Sequence, residues 1–194
     1  MKKKGLWIIG AIVLIIIFWA FGAYNGMVTK QETATTALAD VQSTYQRRAD
    51  LLPNLTKVVK AYAKHENSTF KEVAEARSKA SQITLDAASL TPEKLKQFEN
   101  AQGELSAALG KLMMISERYP DLKASENFKD LQIQLEGTEN RINEARQKYN
   151  EAVQNYNVSI RRIPNVLVSG FLGFQKMAKF EAAAGADKAP VLDI

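Results

Sequence analysis

The rhythm of apolar and polar positions changes several times along this chain, and each change marks an element. Residues 6–23, LWIIGAIVLIIIFWAFGA, hold 18 residues with no charge and no periodicity. As a helix that run spans about 27 Å, close to the thickness of a bilayer's hydrocarbon core. Eleven of its residues are Leu, Ile, Val or Phe, which together favour insertion by about 3 to 6 kcal/mol. Trp7 and Trp19 lie near its ends, where amphipathic rings prefer the interface. The pattern predicts a membrane anchor carried by Leu6, Trp7, Ile12, Ile16, Trp19 and Phe21. Lys2, Lys3 and Lys4 precede the run, and the next basic residue is Lys30. The positive-inside rule then places residues 1–5 in the cytoplasm and the rest of the chain outside. A cleaved signal peptide also starts with lysines, but its apolar region is typically shorter than this one.

From residue 24 the pattern turns helical and amphipathic. Val28, Gln31, Thr35, Leu38, Gln42, Tyr45 and Ala49 mark a rather polar stripe on a first helix that continues from the membrane. Asp50 and Pro53 fit the cap and first turn of a new helix, which predicts a turn or kink near Arg48–Asp50. The second helix then runs from about Leu51 to at least Ser78, with a break after it. Thr91-Pro92-Glu93 is a strong start signal for a third helix. Its inner face carries Leu95, Phe98, Gln102, Leu105, Leu109, Leu112, Ser116 and Tyr119, and Pro120 ends it. After a short loop, Ser125 caps a fourth helix, in which Phe128, Leu135, Ile142, Tyr149, Tyr156 and Ile163 recur every seven residues. Smaller residues fall between them, as knobs need holes. The expected fold is all-α, a transmembrane helix (6–23) continuing into an antiparallel up-down bundle of about four long helices (24–163). An apolar, Gly-interrupted segment (164–180) follows, packed on the bundle end or the membrane, and then a flexible tail (181–194).

Composition narrows the function. The formal charge is +5, but without the three leading lysines there are 23 basic and 21 acidic residues. That balance, with charges alternating in sign, excludes a nucleic-acid-binding surface. There is no Cys and a single His, His65. A zinc site lacks its ligands, a Glu-x-x-His di-iron motif fails because Tyr62 stands three residues before His65, and no nucleophile has a base. No Gly-rich phosphate loop exists. The expectation is no enzyme, no cofactor and no metal. Two polar features remain. Asn143, Asn150 and Asn157 repeat every seven residues and, with Asn54, could form a buried seam that fixes register or oligomeric state. The pairs Arg47-Arg48 and Arg161-Arg162 are the second, and solvated charge is the ordinary reading of both; Arg161 and Arg162, with Phe171 and Phe174, could meet lipid headgroups or a partner if the fourth helix returns to the membrane.

Several stretches resemble the LemA family of bacterial membrane proteins: RRADLLPNL (47–55), VVKAYAKHE (58–66), VAEAR (73–77), ERYPDLKASENFKDLQIQLEGTENRI (117–142), RQKYNEAVQNYN (146–157), and GF and FE at 173–174 and 180–181. The resemblance implies one N-terminal membrane helix followed by a helical bundle, and no catalytic residue, cofactor or substrate. The expected function is that of a structural or adaptor protein of the bacterial cytoplasmic membrane. It would act through self-association as a homo-oligomer, or by binding another envelope protein. A sensory or lipid-contacting ectodomain is the alternative.

Overall fold

The structure, a computed structural model, describes residues 2–181, with side chains from Trp7 onward except at Ala88. The Leu6 side chain and all but the first residue of the predicted tail therefore lie outside the described residues. The first helix, α1, runs from Lys2 to Tyr62, 61 residues in all, or about 92 Å. Its apolar N-terminal part is exposed along Trp7, Ile12, Ile16 and Phe21, with Trp19 half-buried. Among the described residues it is the one helix long and apolar enough to cross a membrane. Farther along, one side of α1 is buried through Met27, Ala34, Leu38, Val41, Tyr45, Arg48, Leu52, Leu55 and Val59. The three-and-four spacing is that of a bundle helix. This stripe is turned slightly from the expected one: Leu38, Tyr45 and Ala49 belong to it, whereas Val28, Thr35 and Gln42 border it and Gln31 is exposed.

The turn expected near Arg48–Asp50 does not form; Pro53 sits inside α1. Proline there removes the N–H that the Ala49 carbonyl would accept. Arg77 supplies a replacement, its Nε donating to Ala49 O at 2.9 Å. The chain breaks instead at Ala63–Glu66, just before Asn67-Ser68-Thr69, of which Asn67 and Ser68 are types that favour helix ends over interiors. Glu66 ties this turn to the far end of the third helix through Arg118 at 3.2 Å and the Tyr119 hydroxyl at 3.4 Å. The helix expected from Leu51 is thus divided between the end of α1 and α2 (Asn67–Gln82).

Helix α3 spans Pro92–Arg118, with Thr91 Oγ1 accepting from Lys94 N as the start signal requires. Pro120 ends it, and the expected loop is a short helix, α4 (Pro120–Ala124). Helix α5 spans Glu126–Arg161, 36 residues or about 54 Å. Ser125 occupies its cap position without a side-chain capping bond. Residues 24–62 of α1 measure about 58 Å, so the two long helices match in length. The heptad positions of α5 are buried as expected from Phe128 to Tyr156, but the helix stops at Arg161 and Ile163 is 82% exposed. A four-residue helix, α6 (Val166–Ser169), follows.

Among the described residues the core has three tiers. The distal one joins the end of α1 to α2, α3, α4 and the start of α5, around Leu55, Phe70, Leu105, Leu112, Leu122 and Phe128. The middle tier holds Leu38, Tyr45, Phe98, Tyr149 and Phe180. The third, nearest the apolar run, holds Met27, Tyr156 and Ile160, flanked by Val168, Phe174 and Met177. Here α2 and α3 no longer cover the α1–α5 pair, and the C-terminal segment covers it instead.

Candidate functional site

The C-terminal segment is held by α5, one residue at a time. Asn157 Nδ2 donates to Met177 O at 2.9 Å, and its Oδ1 accepts from Met177 N at 3.0 Å. Asn150 treats Phe180 the same way, both bonds being 2.9 Å. The Tyr156 hydroxyl donates to Gln175 O at 2.9 Å and the Tyr149 hydroxyl to Ala178 O at 2.8 Å. Arg146 Nη2 donates to Glu181 O at 2.9 Å. The register has a simple cause. Seven residues of helix advance about 10.5 Å and three residues of extended chain about 10 Å. A Tyr-Asn pair repeated at 149–150 and 156–157 therefore meets equivalent backbone groups three residues apart. These contacts read the main chain, so side-chain identity in the strap matters mainly at Met177 and Phe180. Phe180 is buried against Tyr149 at 5.3 Å and Phe98 at 6.5 Å, with the Arg146 guanidinium 4.9 Å above its ring.

The expected asparagine seam is accordingly distributed. Asn54 and Asn143 are exposed, Asn150 is half-buried and Asn157 is buried. Both amides of Asn150 and Asn157 are occupied by the chain's own strap. The heptad repeat was visible in the sequence; the strap was not, because its partners lie twenty to thirty residues away.

The Arg47-Arg48 pair reads in the sequence as solvated charge, but Arg48 is nearly fully buried. Its Nη1 donates to Ser106 Oγ at 2.9 Å and pairs with Glu139 at 2.5 Å; its Nη2 donates to Gln102 Oε1 at 2.7 Å and Gln102 O at 3.2 Å. One guanidinium thus ties α1 to α3 and α5. Its Nε has no hydrogen-bond partner among the described residues. A polar cavity of 550 Å³ opens beside it, lined by Tyr45, Lys96, Glu99, Asn100, Asn143 and Arg146 among others. Glu99 pairs with Arg146 at 2.7 Å. Burial raises the Glu99 carboxyl above its ordinary pKa, against the opposing pull of Arg146. Burial also raises the Tyr45 phenol, and pushes that of Tyr149 up to about 12. His65 stands exposed in the Ala63–Glu66 turn, and no cluster of metal-ligating residues exists among the described residues.

Arg161 and Arg162 are exposed at the end of α5, Phe171 is 95% exposed and Phe174 half-buried. The Phe174 ring meets Tyr24 of α1 edge-on at 5.7 Å. The structure thus brings Phe174, though not the arginines, against the helix that bears the apolar run.

Fold and site together define a class: a helical bundle built onto a helix capable of spanning a membrane and closed by an extended C-terminal strap. Residues 37–193 match the LemA family, and the chain belongs to it. Magnetosome protein MamQ of Magnetospirillum gryphiswaldense is similar, at 26% identity over 84% of this chain and 66% of the relative. Protein LemA of Metamycoplasma hominis is 28% identical over 76% of this chain and 64% of its own length. The chain thus spans just under two thirds of the length of these relatives.

Proposed function

We propose that this chain is a non-catalytic scaffold of the bacterial envelope. It crosses the cytoplasmic membrane once, with its lysines inside, and holds a stiff helical domain on the outer side, where it binds a second copy or another envelope protein. The observation that carries this reading is the continuity of α1. The uncharged run and the bundle's longest core helix are one uninterrupted element, so the domain is fixed to the bilayer without a linker. Anchoring in two dimensions raises the effective concentration of neighbours, which favours weak lateral association. Cross-linking of the full chain in native membranes tests it. Discrete adducts with itself or one envelope protein are expected; monomer alone, with no co-purifying protein, overturns it.

A second reading, a sensory ectodomain, is favoured by the cavity beside Arg48. Its walls carry both signs of charge, which suits a small zwitterionic or polar ligand. A ligand of that class should raise the melting temperature of the wild type and lose its effect in Arg146→Gln.

A further inference from the structure

We propose that the loop from Ile163 to Phe174 is seated in the outer leaflet beside α1, with bilayer lipid as its partner. The inference rests on the single-span reading above. The loop is turned apolar side out. Ile163 is 82%, Leu167 77% and Phe171 95% exposed, with Val166 and Leu172 exposed beside them. Its polar side chains face inward: Ser169 Oγ donates to Ile160 O at 2.8 Å and Asn165 Nδ2 to Ser159 O at 3.0 Å. A loop made for water has the opposite arrangement, and an apolar patch of this kind marks an interaction surface.

Its height relative to the membrane is fixed by its neighbours. Leu172 shares an apolar cleft of 430 Å³ with Ile17, Ala20, Phe21 and Tyr24 of α1. Three of those four residues belong to the uncharged run. Leu172 therefore lies level with the last turns of the anchor, on the lipid side of Ala23. A cleft so lined suits an acyl chain.

The backbone is equally suited. Chain entering hydrocarbon must satisfy its own amides. Here the N–H groups of Val166, Leu167, Val168, Ser169, Leu172, Gly173 and Phe174 all donate to carbonyls of residues 162–170. Gly173, at φ +80°, makes the left-handed turn that sends the chain back into the strap, a conformation glycine adopts without strain. At the loop's root, Arg161 and Arg162 are exposed with no side-chain partner among the described residues. That is where lipid phosphates would lie, and guanidinium groups match them well. Depth, internal amide pairing and flanking cations together fit lipid better than a water-exposed protein partner.

The chain contains no cysteine, so single nitroxide labels are clean. Full-length Leu167→Cys, Phe171→Cys, Phe21→Cys and Met114→Cys, labelled and reconstituted in phosphatidylcholine–phosphatidylglycerol vesicles, would be compared by oxygen and nickel-chelate relaxation. Met114 is an exposed residue of α3, between Leu112 and Ile115 of the distal tier. The oxygen-to-nickel accessibility ratio at 167 and 171 should match that at 21 and exceed that at 114 several-fold. Nickel access at 167 and 171 equal to that at 114 overturns the proposal. So does shielding from both relaxants, which would mean a protein contact. Nickel access at 21 as well would overturn the membrane span itself.

Discussion

The strap held by α5 allows a sharp prediction. Replacing Asn157 with Ala removes two hydrogen bonds, one donated to Met177 O and one accepted from Met177 N. At about 0.5–1.5 kcal/mol net for each, the loss is about 1 to 3 kcal/mol. It falls on local opening of the strap more than on global unfolding, because the distal tier makes no use of these bonds. Hydrogen exchange at the Met177 and Phe180 amides should then accelerate by roughly 5- to 150-fold. Amides at the centre of α5 should change little. Asn157→Asp keeps the acceptor for Met177 N but loses the donor to Met177 O, so its effect on Met177 should be smaller. Asn143→Ala, on an exposed residue of the same heptad, should leave the strap unchanged. If Met177 and Phe180 exchange at the wild-type rate in Asn157→Ala, the paired bonds do not hold the strap and the register argument fails.

Three further outcomes follow from the packing. Arg77→Met should cost about 1.5 to 3 kcal/mol in chemical denaturation, since a charged donor to Ala49 O is lost. Adding Pro53→Ala restores a helical N–H to that carbonyl, so the double mutant should recover at least part of the loss; strict additivity would refute the assignment. Arg48→Met should destabilise by about 1.5 to 3 kcal/mol, because buried Gln102 loses a charged donor while the partly exposed Glu139 carboxylate can be taken up by water; a loss below about 1 kcal/mol, the worth of a surface pair, would show that the guanidinium is dispensable. The Tyr149 phenol, raised by burial from 10.0 to about 12, stabilises the fold fully below pH 10 and loses that contribution as pH rises towards 12. A loss of up to about 3 kcal/mol is expected over that window; the alkaline melting temperature should fall in the wild type and fall less in Tyr149→Phe.

Much of the fold is legible in the sequence because its signals are local. Thr91 with Pro92 starts α3, Pro120 stops it, and the α5 heptads bury the residues they name from Phe128 to Tyr156, though not Ile163. What escapes is non-local. Pro53 reads as a helix start, and only Arg77, distant in sequence, makes it tolerable inside α1. Arg48 reads as a solvated charge until Gln102, Ser106 and Glu139 are brought around it. The Tyr-Asn repeat of α5 is plain in the sequence, but an extended segment offers no periodicity of its own to announce itself as the partner. The apolar character of residues 166–174 is visible; their placement beside Ile17–Tyr24 follows from where α5 ends.

A rod of about 92 Å with no joint between its greasy end and its folded end behaves as a lever. Hydrophobic mismatch is commonly relieved by tilting the spanning segment. In this chain such a tilt would be passed to everything built on α1, so a thinner bilayer would lean the whole bundle towards the surface. The tip of the bundle would then sweep through far more distance than the segment that responds to the lipid.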